Sequence, residues 1–325
     1  MKLQNTILRA AAFTLVAILA PACQSRPAGP VAPAAAHLAE QAPAVDRSAP
    51  SLQALRNATY SGVTEAGAPF TLVGGTWEGR PFSPGGASRP RVTFVRDFRL
   101  VADLDGDGEE EAVVLLAANA GGTGELLYLA VVGRSAGTLA NKATTLVGDR
   151  VQVREATVDG RRIVINTVQA GENDAACCPG DLVTRTWDLS GAALKEAALV
   201  KTGRLSLDTL AGSEWVLTWW AWDEAVPATS EVTLTLDGSR LVGTAGCNNY
   251  FAPVKSGDAP GDVSLGPAGT TRKMCPGPVM AVETRFLRQL NGVTQVRFVA
   301  GQLALTYAKA DRTFGVMLFD RRAAR

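Results

Sequence analysis

"VTLTLDGSRLVGTAGCNNYFAPV", residues 232–254, is the stretch on which the fold class turns. Val232, Leu234 and Leu236 alternate with threonines, the period-two pattern of a strand that buries one face. Asp237-Gly238 then makes a turn, and a return strand begins at Arg240. Antiparallel β structure is the expectation here. The block "GCNNY" (Gly246 to Tyr250) follows, and "LGPAGTTRKMC" (Leu265 to Cys275) comes after it.

Toward the C-terminus the period changes. In "PGPVMAVETRFLRQLNGV", residues 276–293, Val279, Val282, Phe286, Leu287 and Leu290 share one helical face. Pro276 and Pro278 suit the helix start, and Asn291-Gly292 suits its end. Two further strands, near "QLALTY" and "TFGVMLF", close the chain. Toward the N-terminus, residues 51–200 hold short runs rich in Val, Leu, Ile and Thr, among them "EAVVLLAAN", "LLYLAVVG" and "RRIVINTVQ". Gly and Asp turns separate them, and no long helix is read there. The chain is therefore expected to be α+β and predominantly antiparallel β. A β-rich domain is read over 51–200, a short link over 201–212, and a second β-rich domain with one main helix over 213–325.

The order of these motifs resembles the META (HslJ-like) domain family. The resemblance is carried by Trp215 and Leu217, Gly243, the Gly246 to Tyr250 block, the Thr271 to Cys275 segment, Glu283 and the "FLRQL" helix. It runs from Ser213 to the end of the chain. It implies an envelope-located α+β module tied to stress tolerance and outer-membrane function, and it brings no catalytic mechanism. The first half resembles an accessory segment that precedes META domains in bacterial lipoproteins, through "LRNATYSG", "DLDGDGEEEAVVLL", "GGTGELLYLAVV" and "CCPGD".

Composition narrows the chemistry. Hydrophobic residues make up 46% and charged residues 19%, a globular balance. Formal charge is +1, or near −1 (30 basic against 31 acidic residues) once Lys2 and Arg9 leave with a leader. No basic face is evident, so nucleic acid is not expected as a partner. The single histidine, His37, lies in a Pro/Ala-rich stretch. Ser-His and Cys-His pairs, histidine bases and histidine-ligated metals are thereby removed from the folded part, and no catalytic residue is assigned.

Residues 1–22 have the layout of a signal peptide: basic Lys2 and Arg9, then the apolar run Ala10 to Ala20. The ending "LAPAC" resembles the lipobox of bacterial lipoproteins, whose cysteine is acylated, although Ala20 and Pro21 depart from its usual residues. Ordinary cleavage near Ala22 is the alternative. Lipidation of Cys23 is favoured because a lone exposed thiol there is a liability. Gln24 in place of aspartate suggests the outer membrane, facing the periplasm. Residues 23–50 then read as a Pro/Ala-rich disordered tether.

Four cysteines remain, Cys177, Cys178, Cys247 and Cys275, and three pairings are open. The pairing 177–178 with 247–275 is preferred, in a structural rather than a redox role, since no CxxC motif is present. The stretch "EWVLTWWAWDE" places Trp219, Trp220 and Trp222 close together. Strand alternation cannot bury all of them, so a binding surface is weighed there against core packing.

"DLDGDGEEE", residues 103–111, offers carboxylates from Asp103, Asp105, Asp107 and Glu111, with the carbonyl of Glu109 as a further oxygen. Hard oxygen ligands at this spacing suit Ca²⁺ in a structural role; a metal-free turn is the alternative. The flanks are strands and position 12 is Val114, so this is not an EF-hand. Together these features predict a non-enzymatic envelope lipoprotein that binds an unknown protein or envelope ligand and supports envelope integrity or stress tolerance. A proteinaceous inhibitor or ligand scavenger is the second reading. A carboxylate-based glycan hydrolase is the weakest, because its carboxylates lie within one turn.

Overall fold

The computed structural model describes residues 47–64, 67–175 and 177–322; the leader, Cys23, His37 and residues 24–46 of the tether lie outside the described residues. A one-turn helix α1 (Leu52–Leu55) leads into the hairpin of β1 (Thr59–Tyr60) and β2 (Phe70–Thr71). The first large sheet contains β3 (Thr76–Glu78), β4 (Arg91–Phe94), β5 (Leu100–Ala102), β6 (Glu111–Asn119), β7 (Leu126–Ser135) and β8 (Thr138–Asp149). Its order is β3-β4-β6-β7-β8, with β5 also on β6. A meander follows of β9 (Gln152–Asp159), β10 (Arg162–Gln169), β11 (Asp181–Ser190) and β12 (Ala193–Arg204).

The central strand β6 reads as a continuous apolar run because both its faces are covered. Ala112, Val114 and Leu116 pack with Leu55, Tyr60 and Phe94 on one side. Val113 and Leu115 face Val153, Ile163, Ile165 and Trp187 of the meander on the other. Full burial of each such Val or Leu contributes roughly 1.5–3 kcal/mol. The segment read as a link holds the end of β12 and a 3-10 turn, Leu207–Leu210.

The rest of the chain forms β13 (Glu214–Trp219), β14 (Thr233–Asp237), β15 (Arg240–Thr244), β16 (Asn249–Ser256), β17 (Val263–Leu265), β18 (Gly269–Thr270), α2 (Gly277–Leu290), β19 (Val293–Val299), β20 (Gln302–Ala308) and β21 (Phe314–Arg321). The sheet order is β17-β16-β15-β14-β13-β21-β20-β19. Its two ends approach each other: Val296 N donates to Gly261 O at 2.7 Å, and Gln295 Nε2 to Asp262 Oδ1 at 3.0 Å. The result is a near-barrel. α2 covers it with Val282, Phe286 and Leu290, and Phe286 meets the Tyr250 ring edge-on at 5.1 Å. Gln289 Nε2, also buried, donates to Tyr307 Oη at 2.8 Å.

Mostly antiparallel β with one main helix is thus the observed class. The closing strands number three rather than two. β19 departs from clean alternation because a bulge between Val293 and Gln295 shifts its phase. In the opening hairpin the connection is Gly238-Ser239, with Gly238 at φ +57°, and Asp237 pairs with Arg240 across it. The two halves pack together. Gly301 N donates to Val153 O at 2.9 Å, Phe298 N to Gln152 Oε1 at 3.0 Å, and Val168 of β10 joins the core of the near-barrel.

Candidate functional site

The acidic loop joins β5 to β6, and its carboxylates first serve the loop itself. Asp103 accepts from Gly106 N at 2.6 Å and Gly108 N at 3.1 Å. Asp105 accepts from Asp107 N at 3.2 Å, and Asp107 from Glu109 N at 2.8 Å. Such Asx turns explain why aspartates alternate with glycines here. Glu111, the first residue of β6, is fully buried and accepts from Leu104 N at 2.8 Å.

Of the five expected ligands, Asp103, Asp105 and Glu111 bring one oxygen each to within 4.8 Å of one another. Asp107 and Glu109 stand outside that group. The cluster also holds a cation that the loop sequence does not show. Lys142, from β8, places its ammonium 2.8 Å from Asp105 Oδ2 and 2.6 Å from Glu111 Oε1, with Asp107 Oδ2 at 3.7 Å. Burial pulls its pKa down, but the hydrogen bonds it donates to Asp105 and Glu111 outweigh this and hold it above the usual lysine range. The same hydrogen bond with Lys142 keeps the Asp105 carboxyl below the ordinary carboxylate value. The donor set is therefore right for a hard cation, and a metal ion entering it has to displace Lys142. No signal in residues 103–111 points to a lysine 31 positions beyond Glu111.

The "GCNNY" block and the Thr271–Cys275 segment meet around Asn248. This side chain is only 2% exposed and makes every hydrogen bond an amide can make. Its Nδ2 donates to Lys273 O at 3.1 Å and to Glu283 Oε1 at 3.0 Å. Its Oδ1 accepts from Thr271 Oγ1 at 2.8 Å and from Lys273 N at 2.6 Å. Glu283, buried on α2, also accepts from Asn248 N at 2.7 Å. A disulfide between Cys247 and Cys275 closes the same region. Helix, strand and loop are tied at one point. With its amide and carboxylate engaged, the cluster offers no unpaired nucleophile or base.

The other pair, Cys177 and Cys178, forms a vicinal disulfide in the loop between β10 and β11. Asp174 organises that loop by accepting from Gly171 N and Gly180 N, each at 2.8 Å, and from Arg204. The Arg204 hydrogen bond is the main cause of its pKa of about 2.

The three tryptophans differ in position. Trp222 is 56% exposed. Trp219 is half-buried, with the Arg96 guanidinium 4.7 Å from its ring centre. Trp220, for which the sequence leaves surface and core both open, is buried at 2% exposure, under the Arg285 guanidinium that pairs with Glu224. A register shift between Leu217 and Trp219 on β13 breaks the alternation and turns Trp220 inward.

No protein of curated function matches the chain. The NMR structure of a protein from Burkholderia xenovorans is 27% identical over 36% of this chain and 86% of its own, with a TM-score of 0.30. An envelope-associated role is supported only at the level of the family. Residues 208–317, in the C-terminal part of this chain, match the model of the META domain.

Proposed function

We propose that the protein is a non-enzymatic, lipid-anchored component of the bacterial envelope that works by binding a partner, in support of envelope integrity under stress. The observation that carries this reading is the Asn248–Glu283 cluster. The residues that mark the META module spend their polar groups on one another, which is what a structural lock requires and a reactive site does not. The lipobox-like segment ending at Cys23 supports anchoring, with the periplasmic face of the outer membrane as the location. The exposed ring of Trp222 favours a second reading as an inhibitor or scavenger that captures its ligand there.

The acidic loop enters as a structural clip, with Ca²⁺ taken up at Asp103, Asp105 and Glu111 when Lys142 swings away. Calcium at a hundred times its dissociation constant adds about 2.7 kcal/mol. Equal unfolding midpoints in millimolar calcium and in EDTA would leave Lys142 as the cation of this loop.

Membrane fractionation and stress challenge test the main reading. The full chain is expected in the outer-membrane fraction, where it restores detergent tolerance to a strain lacking it, and the Cys23→Ser variant in the soluble periplasm. A soluble wild type, absence of protection, or turnover of peptidoglycan or other glycans would contradict it.

A further inference from the structure

Where the first sheet and the meander meet the β19–β20 hairpin, an open cleft of about 720 Å³ remains. That volume is in the range of sites that enclose a small ligand. Its deep wall is apolar. Val95, Ala117, Val151 and Val299 line it half-buried, backed by the buried Leu115, Leu127, Val153 and Phe298.

The outer wall is cationic. Arg91, Arg96, Arg150 and Arg297 line the cleft against a single carboxylate, Glu125. Arg91 has Glu78 at 3.8 Å and Arg150 has Asp149 at 2.5 Å, both outside the lining. Arg96 and Arg297 are held otherwise. Arg96 Nη1 donates to Trp222 O at 2.7 Å and its guanidinium lies over Trp219. Arg297 donates to Gln295 Oε1 at 3.1 Å and to Cys177 O at 3.4 Å. Their partners are neutral oxygens and a ring face; the acids that bear on them, Asp97 and Asp320 for Arg96 and Asp262 for Arg297, act through space. Burial lowers the pKa of both guanidinium groups from the ordinary arginine value, the mark of cations short of solvation.

A small inorganic anion would satisfy the arginines and leave the apolar wall wet. A neutral apolar ligand would cover the wall and leave two half-buried cations with no anion in contact. One occupant meets both surfaces. We propose that this cleft binds a single-chain amphiphile with an anionic head, in its simplest form a free fatty acid, with the acyl chain on the Val95–Ala117–Val151–Val299 wall and the carboxylate on Arg96 and Arg297. Trp222, exposed and lining the same cleft, covers the acyl chain. Arg96 and Trp222 come from opposite halves of the chain, so an occupant also joins the two halves.

The test titrates the full chain with cis-parinaric acid, a fatty acid that fluoresces when taken out of water, and separately with its methyl ester. The acid is expected to bind saturably at one site, and the ester at least tenfold more weakly. Arg96→Gln combined with Arg297→Gln is expected to lower affinity for the acid at least tenfold. Ala117→Trp, which fills the cleft, is expected to abolish binding of both, with circular dichroism melts confirming that each variant is folded. Equal affinity for acid and ester, unchanged affinity in either variant, or no saturable binding overturns the proposal.

Discussion

Lys142 shows how one residue far along the chain fixes the meaning of a local motif. The acidic loop announces itself by alternating aspartates, but its neutralising cation comes from β8 and leaves no trace in residues 103–111. Removing that cation leaves Glu111 buried beside Asp105 without its ion-pair partner. Lys142→Met is therefore expected to lower stability by about 3 kcal/mol in EDTA, read by urea unfolding. Millimolar calcium should recover part of the loss if the vacated position takes a metal ion. A loss below about 0.5 kcal/mol would show that the ion pair does not hold the loop. Asp174 gives a pH prediction. Its folded pKa of about 2 lies below the unfolded aspartate value of about 3.9, so its contribution is present above pH 4 and fades as the pH falls toward 2. Asp174→Asn should flatten the stability profile between pH 4 and pH 2 and leave its shape near neutrality unchanged. An identical acid limb in both proteins would contradict the assignment.

At the scale of elements, strands with a clean period were legible and those with a broken one were not. β14, β15 and α2 lie close to their expected places because alternation, a tight turn and a 3.6-residue face are local signals. β19 and the side to which Trp220 turns are not legible in the sequence, because each lies next to a register shift that only pairing with a neighbour reveals. Gly243, one of the residues carrying the META resemblance, gains its reason only from the pair β14–β15. A Cβ at this position would run into the carbonyl oxygen of Thr233, the same oxygen that accepts from Tyr250 Oη at 3.0 Å. Backbone rather than a flexible side chain stands in the way, so relief requires the hairpin itself to move. Gly243→Ala is expected to cost about 1–3 kcal/mol by overpacking, measured by thermal unfolding. A neutral result would mean that β14 and β15 separate freely at this point.

For the molecule as a whole, the division of labour between motif and surface was only half visible. The sequence held the META markers in order, so the fold of the second half was within reach. Their mutual satisfaction depends on α2 carrying Glu283 to Asn248, 35 residues away, and spacing alone does not show that. The arginine-lined cleft was out of reach for the same reason, since Arg96 and Arg297 come together only when the two halves pack. The central claim is that the META markers lock the fold and leave function to binding surfaces elsewhere. A double-mutant cycle between Asn248 and Glu283 tests it most directly, using Asn248→Ala, Glu283→Ala and the pair in the full chain, with stability read by chemical denaturation. A structural lock predicts a coupling energy of about 2 kcal/mol, as for a buried, charge-assisted hydrogen-bond pair. A coupling below about 0.5 kcal/mol would contradict the account and make the cluster a candidate reactive site.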